Sequence, residues 1–78
     1  MQGAFVRVQI GAGADMSALH KDLHGVANVK EVYFLAGPTD AECRVEAADV
    51  EALTTTVMQI RGLKGVASTD TRFILPVH

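Results

Sequence analysis

The chain has 78 residues, an apolar share of 49%, and a net charge of −2 from seven Lys plus Arg against nine Asp plus Glu. That length makes one small domain, residues 1–78, with a thin two-layer core, and the apolar share excludes disorder. No apolar run is long enough to span a bilayer, the basic residues are scattered, and one Tyr with three Phe is a poor base-stacking set. No membrane and no direct nucleic-acid partner are therefore expected. Met1-Gln2-Gly3 leads straight into AFVRVQI without a basic n-region or cleavage pattern, so a soluble cytoplasmic protein is expected. A single cysteine, Cys43, excludes an internal disulfide and a multi-cysteine metal site.

Residues 4–10, AFVRVQI, place Ala4, Val6, Val8 and Ile10 at period two, the pattern of a half-buried strand. GAGAD then turns the chain, with Asp15 as an N-cap. In MSALHKDLHGV, Leu19, Leu23 and Val26 recur at helical spacing behind Met16, and Gly25 stands where a C-cap belongs. NVKEVYFLA, residues 28–36, is rich in β-branched and aromatic residues and reads as a second strand. Gly37-Pro38-Thr39-Asp40 makes a turn. ECRVEA alternates, with Cys43, Val45 and Ala47 one way and Glu42, Arg44 and Glu46 the other. Asp49 caps a second helix with the stripe Val50, Leu53, Val57 and Ile60, and Gly62 ends it. GVASTDTRFILPV supplies a last strand centred on residues 68–75.

The order β-α-β-β-α-β, with GVANV after the first helix echoed by GLKGV after the second, is a twofold split βαβ plan. It predicts an α+β, ferredoxin-like domain: a four-stranded antiparallel sheet with two helices on one face. The other face carries Phe5, Arg7, Gln9, Glu42, Arg44, Glu46, Arg72 and Ile74. The first and third strands are central neighbours in this plan, so Arg7 meets a Glu across the ladder. A mixed face bearing Phe5 and Ile74 predicts a sheet-to-sheet twofold dimer, a dimeric α+β barrel.

Candidate chemistry is sparse. GAGAD sits at a strand-to-helix junction, but Met16 breaks Gly-x-Gly-x-x-Gly and no Gly-Lys-Ser/Thr follows, so glycine in a tight turn is the better account. His20 and His24 stand one helical turn apart, a spacing that lets two imidazoles share a metal. They lack the intervening Glu of HExxH, and His78 is the only other histidine; no metal site and no cofactor are expected. Cys43 points with Val45 and Ala47 toward the helices as a small, inert thiol. Thr54-Thr55-Thr56 is unusual inside a helix and reads as partly exposed positions, or a contact with a neighbouring subunit. Without a placed base or nucleophile, catalysis is not expected and no catalytic residue is assigned.

Two polar segments remain. Gly37-Pro38-Thr39-Asp40 supplies a hydroxyl and a carboxylate, and Ser68-Thr69-Asp70-Thr71 supplies three hydroxyls and another carboxylate. An amino acid needs an acceptor for its ammonium and donors for its carboxylate, and these segments hold that inventory. They are equally the composition of solvated turn and strand-edge residues.

The chain resembles the RAM domain, the effector-binding half of the Lrp/AsnC "feast/famine" transcription regulators. The resemblance rests on VKEVY in the second strand, the Gly-x-x-Asp turn at Gly37 and Asp40, ECRVEA, EAADVEAL, and the run IRGLKGV followed by STDT, covering about residues 4–76. It implies a ferredoxin-like fold dimerising through its sheets, dimers assembled into rings of eight or ten chains, and an amino-acid effector bound between dimers, near the Gly37–Asp40 turn and the start of the last strand. The resemblance matches Gly37 and Asp40 to the family turn and Thr69 and Thr71 to the polar entry of the last strand; with the chemistry of the two segments, Gly37, Pro38, Thr39, Asp40, Ser68, Thr69, Asp70 and Thr71 are the ligand-binding candidates. Asp40 would take the ammonium; turn N–H groups or threonine hydroxyls would take the carboxylate. The family turn usually reads Gly-x-Tyr-Asp, and Thr39 here removes that ring. Only three residues precede the first strand, so the expectation is a stand-alone RAM domain without a helix-turn-helix, acting through its own oligomer or a full-length Lrp/AsnC regulator. Three other readings compete. One is a monooxygenase-like dimeric enzyme, disfavoured by the uniformly apolar Val6, Val8, Ile10, Cys43, Val45 and Ala47. The second is an ACT-like regulatory domain binding at GAGAD. The third is a structural oligomer without ligand.

Overall fold

The computed structural model describes residues 1–36 and 40–75. Six elements follow one another: β1 (Gln2–Ile10), α1 (Met16–Gly25), β2 (Val29–Phe34), β3 (Asp40–Ala47), α2 (Val50–Arg61) and β4 (Val66–Phe73). Both helices start where a carboxylate can satisfy a free N–H. The Asp15 side chain accepts from the Ala18 N–H at 3.1 Å, and Asp49 accepts from the Ala52 N–H at 2.8 Å. Gly62 ends α2 as expected, its N–H donating to the Met58 carbonyl at 3.1 Å. Gly25 is the last helical residue of α1 rather than its cap; Val26, with extended backbone, takes that place. Among the described residues, left-handed backbone falls at Asn28 (φ 73°), Gly13 (φ 79°) and Gly65 (φ 96°), all in connections.

The strands form one antiparallel sheet in the order β2-β3-β1-β4, the ferredoxin-like arrangement expected from the element order. On β1, Ala4, Val6, Val8 and Ile10 are buried and the residues between them exposed. On β3, Ala41, Cys43, Val45 and Ala47 are buried in the same rhythm. These eight side chains meet Leu19 and Leu23 of α1 and Leu53 and Ile60 of α2 in a single cluster. One sheet face is therefore dry under two helices, and the other is left open.

The α2 stripe departs from the sequence pattern. Leu53 and Ile60 are buried with Thr56, while Val50 is 55% exposed and Val57 only partly covered. Thr56 is admitted to the core because its hydroxyl is satisfied there. It lies 3.0 Å from the Ala52 carbonyl and accepts from Asn28 Nδ2 at 3.1 Å. Thr54 and Thr55 stay exposed and hydrogen-bond back to the Val50 and Glu51 carbonyls. Strand limits also shift: β1 starts at Gln2, β3 at Asp40 and β4 at Val66.

Candidate functional site

Residues opposite one another on neighbouring strands share a face, so the register lays out the open face as rows. Gln9 pairs with Asp40 on one side and Ser68 on the other; Arg7 pairs with Glu42 and Asp70; Phe5 pairs with Arg44 and Arg72. On the outer flank, Tyr33 lies beside Glu42 and Glu31 beside Arg44. The first row and part of the second enclose a depression of about 220 Å³ lined by Arg7, Gln9, Asp40, Ser68, Thr69 and Asp70.

Its groups are mutually placed. Ser68 Oγ is 3.0 Å from Gln9 Oε1. The Arg7 guanidinium reaches Asp40 Oδ2 and Glu42 Oε1, each at 3.8 Å, which is ion-pair range but beyond a hydrogen bond. Its donors thus stay partly uncommitted beside half-exposed carboxylates. Chemically, the depression offers carboxylates for a cation and a guanidinium, an amide and a hydroxyl for an anion, which is the complement of a zwitterion.

Of the sequence-derived candidates, Asp40, Ser68 and Asp70 come together on this face. Thr69 borders the depression but pairs with buried Val8, and Thr71 pairs with buried Val6, so both belong to the helix side of β4. Gly37, Pro38 and Thr39 lie outside the described residues. Arg7 and Gln9 were not among the candidates. Their signal was present in the alternation of β1, which turns both toward the same face as Asp40, but the row they share needs the strand register.

Further along the face, Arg44 bridges Glu31 (Nε to Oε1, 2.6 Å) and Glu46 (3.0 Å), and Arg72 meets Asp70 at 3.2 Å. The hydrogen bond from Arg44, helped by one from Tyr33, holds the Glu31 carboxyl below its usual range; the same Glu31 raises Tyr33 and Arg44. Cys43 is fully buried, and burial, with a smaller contribution from the Glu42 charge, pushes its thiol up to about 11, which makes it a poor nucleophile. A second cleft, about 450 Å³, lies beside Gly11–Asp15 with Ala18, Asp22, Lys64 and Gly65, but the Asp15 carboxylate there is already occupied as the α1 cap. Among the described residues no group of three or more His, Cys, Asp or Glu is placed to hold a metal, and no helix is long and apolar enough to cross a membrane.

Residues 3–77 match the Lrp/AsnC ligand binding domain family. The chain belongs to that family. This Lrp/AsnC domain superposes on a protein of Thermus thermophilus with a TM-score of 0.86 at 34% identity, covering 100% of this chain and 98% of that one. It also resembles a feast or famine regulatory protein of M. tuberculosis complexed with L-methionine, with a TM-score of 0.79 at 23% identity. There the likeness spans 99% of this chain but 52% of the regulator. A homocitrate synthase of Sulfurisphaera tokodaii is 33% identical over 72 residues, which are 92% of this chain and 16% of the synthase. The Lrp/AsnC domain thus spans about half of the regulator and a sixth of the synthase.

Proposed function

We propose that this domain senses a free amino acid and oligomerises through its open sheet face, modulating a partner regulator of the Lrp/AsnC type in the cytoplasm. The observation that carries the reading is the convergence of Asp40, Gln9 and Ser68 in one row, with Arg7 and Asp70 in the next. Asp40 accepts the ligand ammonium, and Arg7, Gln9 and Ser68 supply donors to its carboxylate. Family membership and the regulator complexed with L-methionine support an amino-acid effector. The second copy covers the same face. Phe5 and Ile74 remain 39% and 45% exposed on it, beside uncharged Gly3, and a twofold dimer removes them from water. Dimers of this kind then assemble into rings.

Thermal unfolding with each of the twenty amino acids at millimolar concentration tests the proposal. A ligand that binds only the native state raises stability by about 2.7 kcal/mol at a hundredfold excess over Kd. At least one amino acid should raise the midpoint, and Asp40→Ala should remove that rise while leaving the dimer intact. No shift with any amino acid ends the sensing reading. A shift that survives Asp40→Ala moves the site to the Gly11–Asp15 cleft, the ACT-like alternative.

The synthase match favours a second reading, in which the domain regulates a metabolic enzyme rather than a transcription factor. Co-elution of the domain with a helix-turn-helix regulator or with a synthase separates the two.

A further inference from the structure

We infer that His20 and His24 form a two-imidazole site for a borderline divalent transition-metal ion, the class of Cu²⁺, Ni²⁺ or Zn²⁺. The site lies on the exposed rim of α1 beside β2, on the helix side of the sheet and away from the row of Asp40, Gln9 and Ser68.

Sequence spacing alone makes this pair ordinary, since solvated histidines one turn apart are common on helix surfaces. The structure adds three observations. First, the rings are already close, with centroids 4.5 Å apart and planes at 66°. At that separation one nitrogen from each ring reaches a common ion at the usual metal–imidazole bond of ~2.0–2.1 Å after a rotation about χ2. Second, His20 has a further ring contact that holds it. Its ring packs edge-on against Phe34 of β2, with centroids 5.4 Å apart and planes at 81°, so part of the rotamer freedom that chelation would remove is already restrained. Third, α1 is a fixed platform. Asp15 caps its start, the Val26 N–H closes its end on the Leu23 carbonyl, and Leu19 and Leu23, the neighbours of the two histidines in sequence, anchor it in the core.

Both histidines are exposed, so a metal would keep water in its remaining positions and neither ring must be desolvated to bind. The donor set decides the metal class. Neutral imidazole nitrogens suit Cu²⁺, Ni²⁺ and Zn²⁺, while Mg²⁺ and Ca²⁺ need the oxygen ligands that this pair does not bring. Two donors on one rigid helix turn the second coordination step into an intramolecular one, which raises affinity over that of a lone histidine without any new contact. The open positions leave room for a donor from another molecule.

The test uses the full chain carrying His78→Gln, which leaves His20 and His24 as its only imidazoles. Titration with Ni²⁺ or Zn²⁺ is followed through the imidazole nitrogen resonances and the unfolding midpoint. Both rings should respond at the same metal concentration, the midpoint should rise, and Mg²⁺ should do neither. Either His20→Gln or His24→Gln should lower the affinity about tenfold or more. Both are exposed helical positions where Gln is well tolerated, so helix content by circular dichroism should not change. Phe34→Leu should give a smaller loss, because it removes the restraint on His20 but neither donor. If single variants bind within about twofold of the parent, or the two rings titrate at different metal concentrations, each histidine acts alone and the inference is overturned.

Discussion

Glu31 shows how a single position links the open face to pH. Its carboxyl is held below the ordinary range chiefly by the Arg44 hydrogen bond at 2.6 Å. Because the folded value is depressed, the unfolded chain binds that proton more readily. The stabilising contribution is fully present above the unfolded carboxylate pKa and is lost as pH falls through the folded one. Glu31→Gln should therefore flatten the acid limb of a stability-against-pH curve while changing little at neutral pH, where an exposed pair contributes modestly. Urea unfolding at a series of pH values from neutral downward reads this directly. At the turns, Gly13 and Gly65 give a matched pair. Both have positive φ, so Ala at either position carries a left-handed penalty of about 1–2 kcal/mol. A Cβ on Gly13 meets open space, whereas one on Gly65 sits 3.1 Å from the Ala14 Cβ. Gly65→Ala should cost more than Gly13→Ala in the same urea experiment; equal costs would mean that the Ala14 loop gives way freely.

Among elements, α2 is joined to the α1–β2 connection through Thr56, whose hydroxyl accepts from Asn28 Nδ2 at 3.1 Å and lies 3.4 Å from the Ala27 carbonyl. Asn28, itself in left-handed backbone, donates its side-chain amide to the Thr56 hydroxyl. Thr56→Val keeps the volume and removes the acceptor, leaving the Asn28 amide without its partner. A loss of about 1–3 kcal/mol is expected, and adding Asn28→Gly, which also relieves the backbone, should recover part of it. A Val at 56 that proves neutral would show that solvent already satisfies Asn28. The same contact explains why the α2 stripe was only partly legible. Period 3.6 identified Leu53 and Ile60, but it ranked apolar Val50 above Thr56 because hydropathy does not register a hydroxyl whose partner lies 28 residues away. Legibility was better in β1 and β3, where every residue that alternation listed is buried and Ala41 was missed, since both strands are central and have one dry face.

For the whole molecule the open face is the decisive surface. Phe5 shares that face with Gly3, where Ile74 Cδ1 would lie 3.1 Å from an added Cβ, so a small apolar patch is set among the charged rows. Sheet-to-sheet dimerisation through this patch predicts that Phe5→Glu or Ile74→Asp gives a folded monomer by sedimentation, with the amino-acid response weakened if the second copy completes the site. A dimer that survives both substitutions places the interface elsewhere. Variants on the helix face that leave Phe5 and Ile74 in place should keep the sheet-to-sheet dimer.

The element order, the caps at Asp15 and Asp49, and the buried residues of β1 and β3 other than Ala41 are legible in the chain alone, because these depend on periodicity and near-neighbour hydrogen bonds. The sequence also named Asp40, Ser68 and Asp70 as ligand candidates from their chemistry. Alternation puts these three on the face of Arg7 and Gln9, but the rows in which they meet come from the folded structure alone. That structure alone placed Phe34 against His20. Both are questions of strand register and packing between segments far apart in the chain. A two-residue slip in pairing keeps every side chain on its face but moves it to another row, and no local pattern in β4, an edge strand with mixed exposure, sets that register.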